Sequence, residues 1–238
     1  MRVDAPGGAG LIGAVEGFLE CGDGHVVHFL PSDPIVRAGQ DPSYRDVLNR
    51  GDLNVPDGMP VVWALRLRGI RTERVAGADA MRRLAVWGRD RGLRHYLYGG
   101  RPPVVEALAG WFRRTGAEVV GADAPPFRPA SDEELREAAE RMRAAGADVV
   151  WVGLGTPKQD LVAERLRDLG AAPVLCCVGA AFDFVAGAKR RAPAWMQRAG
   201  LEWTFRLAAE PRRLWRRYLV GGPRFVAAVS RDFLGGRR

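Results

Sequence analysis

Between residues 25 and 187, short and almost unbroken apolar runs alternate with longer segments of helical period. "HVVHFL" at 25–30, "RHYLYG" at 94–99, "AEVVGA" at 117–122, "ADVVWVGLG" at 147–155 and "APVLCCVGA" at 172–180 read as strands. A strand that is apolar at successive positions has no face to offer to water. It must be covered on both sides, which argues for a mostly parallel sheet with helices on both faces. The helical segments agree with this. "SDEELREAAERMRAAG" starts with Ser131 and has Glu134 three residues on, the pattern of a capping box. In "SDPIVRAGQDPSYRDVLNR", Asp33 is placed to cap a helix, and Asp41-Pro42 breaks or restarts it. Pro56-Asp57-Gly58 reads as a turn, followed by a helix from about Pro60 to Leu67.

The expected class is therefore α/β, a Rossmann-like sheet over 25–187, with a basic helical appendage over 188–238. Residues 1–24 carry no assignment. "GLIGAVEG" at 10–17 is glycine-rich, but no strand precedes it, so it is not read as a nucleotide loop.

Charge separates the last segment from the rest. The chain carries a formal +8. From Lys189 to Arg238 there are 13 Lys or Arg against 3 acids (Glu202, Glu210 and Asp232), a balance of +10. Three of the seven tryptophans lie there as well: Trp195, Trp203 and Trp215. Such a segment implies an anionic partner: a phosphate-bearing substrate, an anionic membrane surface or a nucleic acid. No nucleic-acid recognition motif accompanies it. Three cysteines, two of them adjacent in an apolar run, form neither a disulfide framework nor a metal cluster. His25, His28 and His95 lack ligand spacing and belong in or beside strands, so no metal is expected. The opening residues do not have the pattern of a signal peptide, and no apolar run approaches the roughly 20 residues of a spanning helix. A cytoplasmic chain, at most attached to a membrane face, is the expectation.

In open parallel sheets, ligands bind beyond the carboxyl ends of the strands. Three glycine-rich exits meet that description: "YGGRPP" with Gly99 and Gly100, "GLGTPKQD" with Gly153 and Gly155, and "VGAAFDFVAG" with Asp183. Glycine lets backbone approach a ligand, and Pro157 sets a first helical turn whose amides can face an anion. Lys158 and Gln159 then add a charge and an amide. Asp57, on its Pro-Asp-Gly turn, is a candidate general base or hydroxyl ligand, although an ordinary Asx turn or helix cap explains it equally. Asn49 and Asp52 are weaker candidates for substrate contact. The tail arginines can grip phosphate oxygens bidentately, and Arg206, Arg213 and Arg217 recur at spacings of seven and four.

"DLNVPDGMPVVW", "YLYGG", "WVGLGTPKQD" and the long "VGAAFDFVAGAKRRAPAWMQRAGLEWTFRLAAEPRRLWRRYL" resemble the WecG/TagA/CpsF family of glycosyltransferases, from about residue 25 to about 220. The resemblance implies transfer of a sugar from a UDP-sugar to a polyprenyl-diphosphate-linked acceptor at the inner membrane face. It implies inversion at the anomeric centre without a metal or cofactor. N-acetylmannosamine, its uronic acid or a hexose is the implied sugar, and wall teichoic acid, enterobacterial common antigen or exopolysaccharide the implied product. Asp57 falls on the family's proposed base. Pro157, Lys158 and Gln159 fall on its nucleotide-sugar pocket, and Arg206, Arg213 and Arg216 on the appendage that closes over the site. The implied partners are the UDP-sugar, the lipid-linked acceptor and an anionic membrane surface, with no nucleic acid; self-association into a homo-oligomer stays open. One departure stands out. The family has a threonine and an asparagine just after the first strand, where this chain reads "HFLPSDP" and offers Ser32 and Asp33. A basic binding module without catalysis is the rival reading. An oxidoreductase ranks last, because its dinucleotide fingerprint is missing.

Overall fold

The computed structural model describes residues 1–235. Its centre is a six-stranded sheet in the order β2-β1-β6-β5-β3-β4. The strands are β1 (His25–Leu30), β2 (Leu53–Pro56), β3 (Arg94–Gly99), β4 (Glu118–Asp123), β5 (Val149–Gly153) and β6 (Val174–Cys177). Every pairing is parallel. In β5, Val149 and Trp151 enter the core on one face while Val150 and Val152 enter the core on the other. That double burial is why the strand carries no polar alternation. One face is covered by α1 (Gly7–Cys21), α5 (Gly77–Arg89) and α6 (Pro102–Arg114), the other by α7 (Asp132–Ala144) and α8 (Lys158–Asp168).

Two elements differ from the sequence expectation. The unassigned opening is α1, which buries Leu11 and Val15 in the main core. Ahead of it, the Asp4 amide donates to the Asn54 carbonyl, and the Asp4 carboxylate accepts from the Asn54 amide, both at 2.8 Å. This pairing covers the outer edge of β2. In the sequence, β2 shows only as the approach to the Pro56-Asp57-Gly58 turn. It is four residues long and ends in proline, which has no amide to donate, so it sits where proline is tolerated: at a strand end on a sheet edge.

The capping box of α7 is present in both directions. Asp41 caps α3 (Pro42–Arg50) by accepting from the Tyr44 amide. Asp33, by contrast, lies inside the first turn of α2 (Ser32–Gln40) and caps nothing.

After α4 (Met59–Leu67) and α9 (Ala181–Val185), the appendage runs through α10 (Ala194–Arg198), α11 (Glu202–Ala209) and α12 (Pro211–Trp215). A π-helical turn over Arg216–Val220 leads directly into α13 (Gly221–Gly235). Residues 236–238 of the basic segment lie outside the described residues. The appendage is packed on the sheet domain: Phe225 is buried against Val61 and Leu65 of α4, and Leu214 is buried as well. Among the described residues no helix is long and apolar enough to cross a membrane.

Candidate active site

The connection after β3 runs outward to β4, while the one after β5 runs inward to β6. Diverging connections open a crevice at the carboxyl end of the sheet. A cleft of about 860 Å³ occupies it. The exits of β1, β2, β3, β5 and β6 line its floor through Ser32, Asp57, Gly100, Gly153 and Gly179, and the appendage lines its roof through Glu202, Arg206, Arg213 and Arg217.

Asp57 follows β2 immediately. Its amide donates to the Leu30 carbonyl at 3.1 Å, continuing the β1–β2 ladder, so the residue sits on a rigid mount. It is not a helix cap, since Gly58 holds that position for α4. Its carboxylate faces Arg74, with Nη2 at 3.6 Å from Oδ1, and Arg74 Nε donates to the Asp57 carbonyl at 2.7 Å. Burial in the cleft floor pushes the Asp57 carboxyl up to about 6. Arg74, Arg206 and the Gly77 amide pull the other way, and Glu202 adds to the rise.

Neither Arg74 nor Glu202 belongs to the motifs that mark a site in the sequence. Arg74 Nη1 lies 2.7 Å from Glu202 Oε2, and Arg191 reaches Glu202 Oε1 at 3.8 Å while Nη2 holds Asp79 at 2.9 Å. Arg74 lies in an unpatterned loop, and nothing in its neighbours marks it. Glu202 had a signal, being one of only three acids in a strongly basic segment.

The remaining candidates divide. Gly100, Gly153, Gly155, Gln159, Asp183, Arg206 and Arg213 line the cleft, as does Ser32. Asp183 Oδ2 holds Lys189 at 3.3 Å, and Lys189 also holds Glu210 at 3.0 Å, tying α9 to the appendage. Gln159 is buried, and both ends of its amide are used internally: Oε1 accepts from the Gly155 amide, and Nε2 donates to the Cys177 carbonyl, each at 3.1 Å. The Gly100 amide donates to the Gly153 carbonyl at 3.1 Å. The glycine-turn amides at 100 and 155 are thus already engaged with protein partners, whereas the side chains of Arg206, Arg213 and Arg217 line the cleft.

Gly99 lies behind the cleft. Its φ is +124°, and a Cβ there would come within 2.7 Å of the Gly153 backbone. A Cβ on Gly153 would lie 2.7 Å from the Phe182 ring. These two glycines set the spacing of the β3 and β5 exits.

Asn49, Asp52, Pro157, Lys158 and Arg216 fall outside the lining. Asn49 accepts from the Arg2 amide. Asp52 accepts from the Val26 amide and pairs with His25, at the amino end of β1 and so at the opposite end of the sheet. Pro157 precedes α8 on its flank, and Lys158 Nζ turns to the Arg128 carbonyl. Arg216 lies over the Trp215 ring, 5.2 Å from its centroid, and Arg217 takes the place in the cleft expected of it.

Behind the cleft is a buried polar cluster. Asp160 Oδ1 pairs with His28 Nδ1 at 3.0 Å, and Oδ2 accepts from the Tyr44 hydroxyl at 2.6 Å. Burial drives the His28 imidazole toward neutrality, but Cys177, Asp160 and Glu164 outweigh it and hold its pKa well above the ordinary value. His28, Asp160 and Cys177 offer ligand atoms within 4.8 Å of one another, the one such group among the described residues. As metal ligands they fit poorly, because both Asp160 oxygens are committed to donors and burial pushes the Cys177 thiol up to about 11. We expect Asp160→Ala to cost about 3–5 kcal/mol, read from urea denaturation, because it strands two buried donors.

One raised-pKa carboxylate beneath a roof of guanidinium groups, at the carboxyl end of a parallel sheet, is a candidate active site for an anionic substrate. The chain matches the glycosyl transferase WecG/TagA/CpsF family over residues 1–238, and it belongs to that family. Membership brings family-level glycosyltransferase activity on sugar-nucleotide donors.

Proposed function

We propose that this chain is an inverting glycosyltransferase that moves N-acetylmannosamine, its uronic acid or a hexose from a UDP-sugar to a polyprenyl-diphosphate-linked saccharide. Its product belongs to a cell-surface polysaccharide such as a teichoic acid or an exopolysaccharide. The carrying observation is that Asp57 on the sheet and Arg206 and Arg213 on the appendage line one cleft.

The donor lies across the strand exits, with its diphosphate under the guanidinium groups. The acceptor hydroxyl attacks the anomeric carbon from the face opposite UDP. The new C–O bond forms as the bond to UDP breaks, and Asp57 takes the hydroxyl proton. Arg206 and Arg213 stabilise the charge gathering on departing UDP. They supply the positive charge that a divalent cation supplies in other transferases, so turnover is expected to persist in EDTA.

In this reading residues 25–187 are the catalytic core and 188–238 a flap that completes the site. Exposed Trp195, Trp215, Leu219 and Val226 lie among the tail cations, a combination suited to an anionic bilayer face. This supports a cytoplasmic enzyme held peripherally at the inner membrane surface.

The test is a panel of UDP-sugars against synthetic polyprenyl-diphosphate acceptors, read by UDP release and product mass, with and without EDTA. A folded chain that transfers from none of them would count against the proposal. The pH profile is a second check. The base must be unprotonated, so kcat/KM should rise through a midpoint near pH 6 and level off above it.

A further inference from the structure

Glu202 is an anomaly in a cleft that gathers cations for a diphosphate. A carboxylate there repels the ligand, and its own desolvation is costly. It is the first residue of α11, its side chain is only 12% exposed, and it reaches between Arg74 and Arg191. The geometry of Arg74 explains what this does. One guanidinium brings Nη1 within 2.7 Å of Glu202 Oε2, an ion pair rather than an aligned hydrogen bond, and leaves Nη2 at 3.6 Å from the Asp57 carboxylate. Its Nε is anchored on the Asp57 carbonyl at 2.7 Å, so the fork cannot leave; it can only turn. Without the Glu202 charge, the fork is free to close on the Asp57 carboxylate in a short, charge-assisted pair. A carboxylate gripped in that way is a poor base.

We propose that Glu202 is a positioning residue for the transfer step: by engaging Arg74, it keeps Asp57 free to accept the proton, and because α11 carries it, the base is at full strength only when the appendage is docked. The inference rests on Asp57 being the base. The charged and polar groups that face Asp57 are Arg74 from the loop before α5, the Gly77 amide at the start of α5, Glu202 and Arg206 from α11, and Arg191 from the segment before α10. α4 lines the cleft with Met59, Pro60, Trp63, Ala64 and Leu67, none of which is charged. Of these groups Glu202 is the anion, and it opposes the cations around it. Asp79, the next acid, is committed to Arg191. The raised pKa of Asp57 agrees with this arrangement.

Glu202→Gln keeps an oxygen for Arg74 and removes the charge. The acidic limb of kcat/KM against pH should move down by about one unit or more. Turnover at neutral pH should fall several-fold, while KM for the donor stays level or improves. Glu202→Asp, which restores the charge, should return the limb toward the wild-type position. Arg74→Gln is the complement: with the cation gone, the limb should move up. An unmoved limb in Glu202→Gln, or one unmoved in Arg74→Gln whether or not the first variant folds, overturns the proposal. So does a Glu202→Asp enzyme that titrates like Glu202→Gln. Asp57→Asn separates this inference from the one beneath it. If that variant turns over fully, the base assignment itself fails. If it is inactive and the Glu202 limb does not move, only the present inference fails.

Discussion

Asp57→Asn should lower kcat for transfer by about 10²–10⁴-fold, the range in which positioned bases act, while the UDP-sugar still binds. Asparagine preserves the volume of the side chain and can still face Arg74, but it cannot take a proton at any working pH. The loss should therefore appear in kcat with the true acceptor, and titration calorimetry should find donor affinity within a few-fold of wild type. Stability provides the control. The carboxyl is pushed up to about 6 by burial in the cleft floor, above the unfolded value. A raised carboxyl contributes stability below the unfolded pKa and loses it as pH rises through about 6. At pH 8 the wild type holds a poorly solvated charge that asparagine lacks, so Tm there should be unchanged or higher. A variant that is inactive and no less stable has lost chemistry. Full turnover with the true acceptor would remove Asp57 from the mechanism.

Arg206→Ala combined with Arg213→Ala should cost about 10²–10³-fold in kcat/KM, comparable to losing preorganised charge at a developing anion. The glycine-turn amides at 100 and 155 already have partners, so no nearby backbone donor there replaces them. Arg206 is held 5.3 Å over the Phe184 ring, and Arg213 is leashed to Glu210, so both guanidinium groups are oriented before a donor arrives. Preorientation is what lets a charge act without reorganising. Arg216→Ala is the internal control. That side chain rests on Trp215 outside the cleft, and its loss should change kcat/KM by no more than about twofold. Arg217→Ala should fall between the two. A double variant that keeps wild-type kcat/KM, or an Arg216→Ala effect as large as the double variant's, would remove the tail arginines from the diphosphate.

The two outcomes are linked by where the appendage sits. Phe225 fills a site against Val61 and Leu65 of α4, and α11 inserts Glu202 beside Asp57. Removing 190–238 would uncover the apolar face of α4 together with the site, so loss of activity on truncation would mix unfolding with chemistry. The point variants avoid that ambiguity.

Much of this molecule is readable in one dimension. β5 is apolar at every position because both faces of the sheet are covered. The α7 boundary is written in Ser131 and Glu134, which need only each other. Asp57 stood out because a proline and a glycine flank it, and Gly100, Gly153 and Gly155 stood out as strand exits. These are local signals, set by backbone geometry and by burial averaged over an element. β2 was harder to see because its buried residues number only four and the last is proline. α1 was obscured by glycines that its packing on the core tolerates.

The amino-acid order by itself determined the class of sheet, most helix boundaries, the basic appendage and the turns from which a site could be built. It could not choose among side chains on those turns. Gln159, read as a ligand contact, spends its amide on Gly155 and Cys177; Asp52 caps the far end of the sheet; Arg216 yields its place to Arg217. Only the tertiary structure decided these, because a hydrogen-bonding group serves whichever partner the fold brings within about 3 Å. The same holds for Arg74 and Glu202, which lie 128 positions apart in the chain and 2.7 Å apart in space.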